Sequence, residues 1–134
     1  MQILYEYPLI IPFISILAAE FTKSIIDLIT SRKKIRFINS GGMPSGHSAF
    51  VASLVVIMAF RNGLNSDEFT IATVLAVIIM YDAVNLRKQS GLHAKALNKL
   101  NNKLNLDESL GHSLIEVIIG AIFGASLSFV LLYI

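Results

Sequence analysis

The sequence predicts an all-α integral membrane protein, a bundle of about four transmembrane helices with one amphipathic helix at the interface, in a single domain over residues 1–134. Three observations carry that prediction. Hydrophobic residues make up 54% of the chain and charged residues only 15%, where soluble domains carry about a quarter charged. A chain this short has too little interior to hide so large an apolar excess from water. The apolar residues also fall into four separate runs; although rich in Ile and Val, these cannot be strands in lipid, where an open sheet leaves its edges unpaired.

The first run extends from about Tyr7 to Ile29 and is interrupted by Glu20, Lys23 and Asp27. Those three are spaced by three and four residues, so they share one helix face. The start of this run is apolar as far as Ala19, like a signal peptide. It lacks a basic leading region, however; Glu6 is its only charge, and the pattern continues through Ile25, Ile26, Leu28 and Ile29. It therefore reads as a retained first helix. The second run, Pro44 to Phe60, ends in the polar turn from Arg61 to Glu68, and the third runs from Phe69 to Leu86. The stretch from Arg87 to Gly111 is polar, with apolar residues recurring at Leu92, Ala96, Leu97, Leu100 and Leu104, which predicts a short amphipathic surface helix ending in a loop. The fourth run is Ser113 to Ile134. A spanning helix needs roughly 20 apolar residues, with about 17 to 25 tolerated, so the second and third runs lie near the lower limit.

The formal charge of +2 is concentrated in two loops. Arg32, Lys33, Lys34 and Arg36 lie between runs one and two, and Arg87, Lys88, Lys95, Lys99 and Lys103 between runs three and four. A basic soluble protein would point to nucleic acid, but loops that are basic on one side of a membrane point to orientation instead, and no nucleic-acid partner is expected. Both basic loops are expected on the cytoplasmic side and both termini outside, in a bacterial inner membrane. The absence of cysteine excludes disulfides, thiolate nucleophiles and Cys-ligated zinc.

Three constellations could carry chemistry, and all fall on the expected cytoplasmic side. Gly41-Gly42-Met43-Pro44-Ser45-Gly46-His47-Ser48 follows a basic loop and opens an apolar helix. Proline suits a first helical turn, glycines let a ligand approach the backbone, and the free N–H groups of a helix start attract phosphate. Ser45 could add a hydroxyl donor and His47 could give or take a proton; a plain helix start that happens to contain histidine fits the same letters. In Leu110-Gly111-His112-Ser113-Leu114-Ile115-Glu116, His112 and Glu116 are four apart and share a helix face. A carboxylate behind an imidazole fixes its tautomer and strengthens it as nucleophile or base. Ser113 and Glu116 also fit a capping box, which would leave His112 merely interfacial. Asp82 stands within an apolar run, where a carboxylate costs about 2.5–3.5 kcal/mol on insertion scales. A counter-charge is expected, with Arg87 or Lys23 the natural choice, and an arginine also offers a fork matched to phosphate oxygens.

Pro44-Ser45-Gly46-His47 resembles the central motif of the type 2 phosphatidic acid phosphatase (PAP2) and vanadium haloperoxidase superfamily. The wider set of Gly41 to Ser48, Tyr81-Asp82-Ala83 with Arg87, Ala94-Lys95-Ala96-Leu97-Asn98, and Leu110 to Ser113 with Glu116 and Val117 resembles its divergent branch. That branch comprises short membrane proteins related to acid phosphatases and haloperoxidases. The likeness covers about Ala18 to Gly124. It implies a trimmed PAP2-like core and metal-independent, cofactor-free hydrolysis of a lipid phosphate. His112 would form a phosphohistidine, His47 would protonate the leaving alcohol, and Glu116 would stand in for the usual aspartate behind the nucleophile. Lys23, Ser45 and the Gly46 amide would hold phosphate oxygens. Two departures stand out. The family's third-motif arginine, six residues before the nucleophile, is here Leu106, so Arg87 is the candidate replacement; the first motif's Arg-Pro pair is absent, with Arg36 the nearest arginine.

The expected substrate is a phosphomonoester or diphosphate with a lipid tail, reached from the cytoplasmic leaflet: phosphatidylglycerol phosphate first, then phosphatidic acid or a polyprenyl phosphate. Two other classes compete. An inactive lipid-phosphate binder or scaffold would fit the missing arginine, and is favoured if neither Arg87 nor Lys23 points between the histidines. A transporter or channel would need Glu20, Lys23, Asp27 and Asp82 along one continuous pore. Gly120 and Gly124 offer a close-packing face, which would serve a homodimer or a neighbouring helix of the same chain.

Overall fold

The computed structural model describes residues 6–30 and 41–134, which contain helix and turn and no strand. Among the described residues five helices follow one another: α1 (Ile10–Ile29), α2 (Gly46–Asn62), α3 (Asp67–Val84), α4 (Leu86–Leu100) and α5 (Leu114–Tyr133). Arg32, Lys33, Lys34 and Arg36 lie outside the described residues.

Local chemistry sets the boundaries. The side chain of Ser45 caps α2 by accepting the Ser48 N–H, so the helix begins at Gly46. Pro44 therefore precedes the cap, where the sequence had placed it in the first turn. Gly63, at φ +86°, ends α2 in the left-handed region that favours glycine. Ser66 caps α3 by accepting the Phe69 N–H at 3.1 Å, and Asp67 and Glu68 in the first turn complement the helix dipole. Only Asn85 separates α3 from the amphipathic α4.

The helical stretch Asp67–Leu100 and the helix Leu114–Tyr133 are each long and apolar enough to cross a membrane. The other two expected spans differ for physical reasons. α2 is apolar but has 17 residues, and α1 has 20 residues but carries Glu20, Lys23 and Asp27.

α2 is the central helix, packed against α1, α3 and α5, while α5 also touches α1. The interior is rich in small residues, Ala19, Ala49, Ala52, Ala72, Ala76, Ser48 and Ser53, beside the larger Ile11, Val51, Ile57 and Val117, whereas Phe21, Ile71, Val77, Ile115, Ile122 and Phe129 face outward. Bilayer hydrocarbon solvates a large apolar side chain as well as a protein interior does, so close backbone approach between small residues holds such a bundle together. α5 shows it directly: its buried positions Val117, Gly120, Gly124 and Ser128 form one stripe. A Cβ at Gly124 would collide with the Ala49 backbone and one at Gly120 with the Ser45 backbone. The Gly120–Gly124 face is thus occupied by α2 of the same chain.

Candidate active site

Charged and polar side chains from the five described helices and the loop before α5 meet at one end of the bundle. On α1, Lys23 is only 2% exposed. Its Nζ donates to both oxygens of Glu20 at 2.8 Å, a pair one helical turn apart. An ammonium this deeply buried requires such a partner. Gly42, at φ +96°, lies over the aliphatic part of Lys23, and a Cβ on Gly46 would stand 2.6 Å from Glu20 Oε1. The glycines of the Gly-Gly-Met-Pro-Ser-Gly-His motif therefore admit this ion pair against the start of α2.

His47 is exposed in the first turn of α2. Arg87, at the start of α4, spans two partners: its Nε donates to Asp82 Oδ2 at 2.9 Å, and its Nη1 approaches His47 Nε2 at 3.3 Å. Asp82 thus has the counter-charge that its position demanded, and the guanidinium reaches across 40 residues of sequence to the histidine. Leu106, at the family's arginine position, is held elsewhere. Its N–H and C=O both bond the Asn98 side chain at 2.9 Å, on the exposed loop after α4.

His112 is placed by backbone contacts. Its N–H donates to the Ala83 carbonyl at 3.0 Å. Gly111, at φ +92°, leaves no room for a Cβ, which would stand 2.5 Å from Lys88 N. Both readings of Ser113 and Glu116 hold together. Ser113 Oγ accepts from the Glu116 N–H, and Glu116 Oε2 accepts from the Ser113 N–H at 2.9 Å, a complete capping box. The same Oε2 lies 3.3 Å from His112 Nδ1. A carboxylate facing Nδ1 favours the tautomer with its proton there, leaving a lone pair on Nε2. His112 is 3% exposed. Burial holds its pKa below the ordinary imidazole value, while the hydrogen bond and negative charge of Glu116 work in the opposite direction.

The expected residues Lys23, Gly46, His47, Asp82, Arg87, His112 and Glu116 therefore form one neighbourhood, and His47 and His112 lie within each other's electrostatic reach. Ser45 is close but has a different task. Its fully buried hydroxyl oxygen accepts from Ser48 N and Ser48 Oγ, and its backbone N–H donates to the Glu116 carbonyl at 3.2 Å. It ties the start of α2 to the start of α5. Glu20 belongs to the neighbourhood and was not among the expected site residues; its position one turn before Lys23 was the available signal. Of the acidic residues that would line a pore, Glu20 is paired with Lys23 and Asp82 with Arg87.

Comparison with known proteins gives the family. The profile of the divergent PAP2 family matches residues 4–127. A curated relative, "Uncharacterized membrane protein YuiD" of Bacillus subtilis (strain 168), is 38% identical over 102 residues. Those residues are 75% of this chain and 65% of the relative, so the chain spans just under two thirds of that protein's length. No solved structure matches. With the PAP2 motif residues gathered at one end of a helical membrane bundle and the profile matched almost end to end, the chain belongs to the divergent PAP2 family.

Proposed function

We propose that the protein is a metal-independent lipid-phosphate phosphatase working through a phosphohistidine on His112. The observation that carries this reading is the complementary setting of the two histidines, one backed by Glu116 and the other contacted by Arg87. His112 Nε2 attacks phosphorus, the P–O bond to the alcohol breaks, and His47 gives its proton to the leaving oxygen. Water then attacks the phosphohistidine, His47 takes a proton from it, the P–N bond breaks, and inorganic phosphate leaves. With Arg87 Nη1 donating, His47 Nε2 in the free site holds a lone pair, the form needed for the water step. The proton for the leaving oxygen arrives with a phosphomonoester, whose second pKa is about 6. Lys23, Arg87 and the amide of Gly46 balance charge on the phosphoryl oxygens, the task a metal ion performs in other phosphatases. Ser45 acts by holding the loop rather than by donating to phosphate.

In this reading the site faces the cytoplasm of a bacterial inner membrane, and the first-choice substrate is phosphatidylglycerol phosphate, on the strength of family resemblance. A homodimer would have to form on a face other than Gly120–Gly124. The contact of Arg87 with His47 supplies the guanidinium whose absence from position 106 motivated an inactive scaffold.

The test is phosphate release by the purified protein in detergent with chelator present, across phosphatidylglycerol phosphate, phosphatidic acid and a polyprenyl diphosphate. Release from at least one lipid, lost in His112→Ala and in His47→Ala, is the expected result. Full activity in His112→Ala would refute the phosphohistidine, and no release from any lipid by folded protein would refute the phosphatase.

A further inference from the structure

Next to His47 lies a cavity of about 330 Å³ lined by Phe13, Ile16, His47, Phe50, Val51 and Ile79. Phe13 and Phe50 meet edge to face, with ring centroids 5.5 Å apart. His47 supplies its only ionisable side chain.

The position of this cavity along the three helices is consistent. Phe13 and Ile16 precede Glu20 on α1 by seven and four residues, Phe50 and Val51 follow His47 on α2 by three and four, and Ile79 precedes Asp82 on α3 by three. At 1.5 Å of rise per residue, the apolar walls sit roughly 5–10 Å beyond the charged cluster on every helix. A polar layer thus abuts an apolar layer, with His47 at the boundary. Phe13, half-exposed, leaves the cavity open at the side of the bundle.

We propose that this cavity receives the hydrocarbon chain of the leaving alcohol and makes the site selective for lipid over water-soluble phosphates. The inference rests on the phosphatase reading, in which His47 protonates the leaving oxygen. The carbon bonded to that oxygen must then lie on the side of His47 away from phosphorus, and on that side every other wall is apolar. The volume is at the lower end for small-ligand pockets, so it takes the phosphate-proximal segment of one chain rather than a whole lipid. A chain bound there is held equally in ground and transition states, which lowers KM and leaves kcat unchanged.

The test uses the full-length protein in nanodiscs with chelator and a series of n-alkyl phosphates from butyl to dodecyl. For wild type, KM should fall about fourfold per added methylene until the cavity is filled, with kcat flat. Ile79→Trp should flatten that dependence, raising KM about tenfold more for dodecyl than for butyl phosphate, and a melting transition like that of wild type reports that the variant folds. Phe13→Trp, on the open wall, should do the same. Bilayer partitioning of the substrate cancels between variants. A chain-length slope in Ile79→Trp equal to that of wild type, or a slope carried by kcat, would overturn the proposal. So would loss of butyl phosphate turnover in both variants, because the walls would then support the fold rather than the chain. If no alkyl phosphate is hydrolysed at all, the phosphatase reading fails, and calorimetric binding of butyl and dodecyl phosphate to His112→Ala with and without Ile79→Trp decides the cavity: equal affinity ratios overturn it.

Discussion

Glu116 carries two loads that can be separated by experiment, because its partner Ser113 carries only one. Both residues hold the start of α5 through the capping box, but only Glu116 reaches His112 Nδ1. Ser113→Ala removes the acceptor for the Glu116 N–H and should cost about 1 kcal/mol, the usual value of a helix cap. Glu116→Ala leaves the Ser113 N–H unpartnered and removes a carboxylate from the positive end of the helix dipole, worth a further 0.3–1 kcal/mol or so. The two variants should therefore melt within a few degrees of each other, since 1 kcal/mol moves Tm by about 3–5 °C at this chain length. Their activities should diverge. Ser113→Ala should keep kcat/KM within about threefold, while Glu116→Ala should lose on the order of a hundredfold, the lower end of what acid–base machinery contributes.

The pH profile adds an independent sign. His112 must be neutral to attack, and burial already lowers its pKa, so the acid limb of kcat/KM should lie below 6.5 in the wild type. Glu116 opposes that lowering, so removing it should push the acid limb lower still. The same depressed pKa makes stability complete above about 6.5 and lost as pH falls through the folded-state value, because the unfolded chain binds the proton first. Phosphate release and thermal melting of the two variants, followed from about pH 8 downward through the ordinary imidazole range, check all of this. Equal losses of activity in Ser113→Ala and Glu116→Ala, or an acid limb that moves upward in Glu116→Ala, would refute the orienting role.

Arg87→Lys should lower kcat/KM at least tenfold in the phosphate-release assay, because an ammonium cannot span Asp82 and His47 as the guanidinium fork does; wild-type activity would remove Arg87 from the site. Gly124→Ala should destabilise the bundle by about 1–3 kcal/mol, read as a lower melting temperature in detergent, since its Cβ would stand 2.5 Å from Ala49 Cα. Ser128→Ala should be neutral or raise stability by about 1 kcal/mol, because Ser128 Oγ, like Ser15 Oγ, is buried without a hydrogen-bond partner among the described residues; a clear loss of stability would show that the hydroxyl does find one.

Much of this arrangement was legible in the sequence because it is local. His112 and Glu116 are four apart, so helical periodicity suggested the pair, although His112 lies ahead of the Ser113 N-cap and meets Glu116 through the capping carboxylate rather than on a shared helix face. The amphipathic α4 was readable from Leu92, Leu97 and Leu100, and the apolar α5 from its length and composition. The N-cap at Ser45 was readable in principle, but proline at position 44 was the louder signal and drew the expected helix start two residues too early. What the sequence withheld is tertiary. Asp82 announced that it needed a counter-charge, but periodicity cannot show a guanidinium bridging to His47. Glu20 resembled one more interrupting charge on α1 until Gly46, on another helix, left room for its carboxylate. The fate of Gly120 and Gly124 was equally hidden, since the spacing that fits a second subunit also fits α2.

The small-residue interior also reshapes how this molecule should tolerate mutation. In a water-soluble domain, stabilising substitutions are found by filling internal voids, and exposed apolar residues are the ones to remove. Here the gradient runs the other way. Outward positions such as Ile71, Ile122 and Phe129 need only remain greasy, so they should accept many exchanges, whereas a single added methyl at Gly120 strikes the Ser45 backbone one residue from the motif glycine and two from His47. Drift in this protein should therefore accumulate on its lipid-facing skin, and the inner seam between α2 and α5 should stay nearly frozen because the same close contact fixes both the bundle and the position of its chemistry.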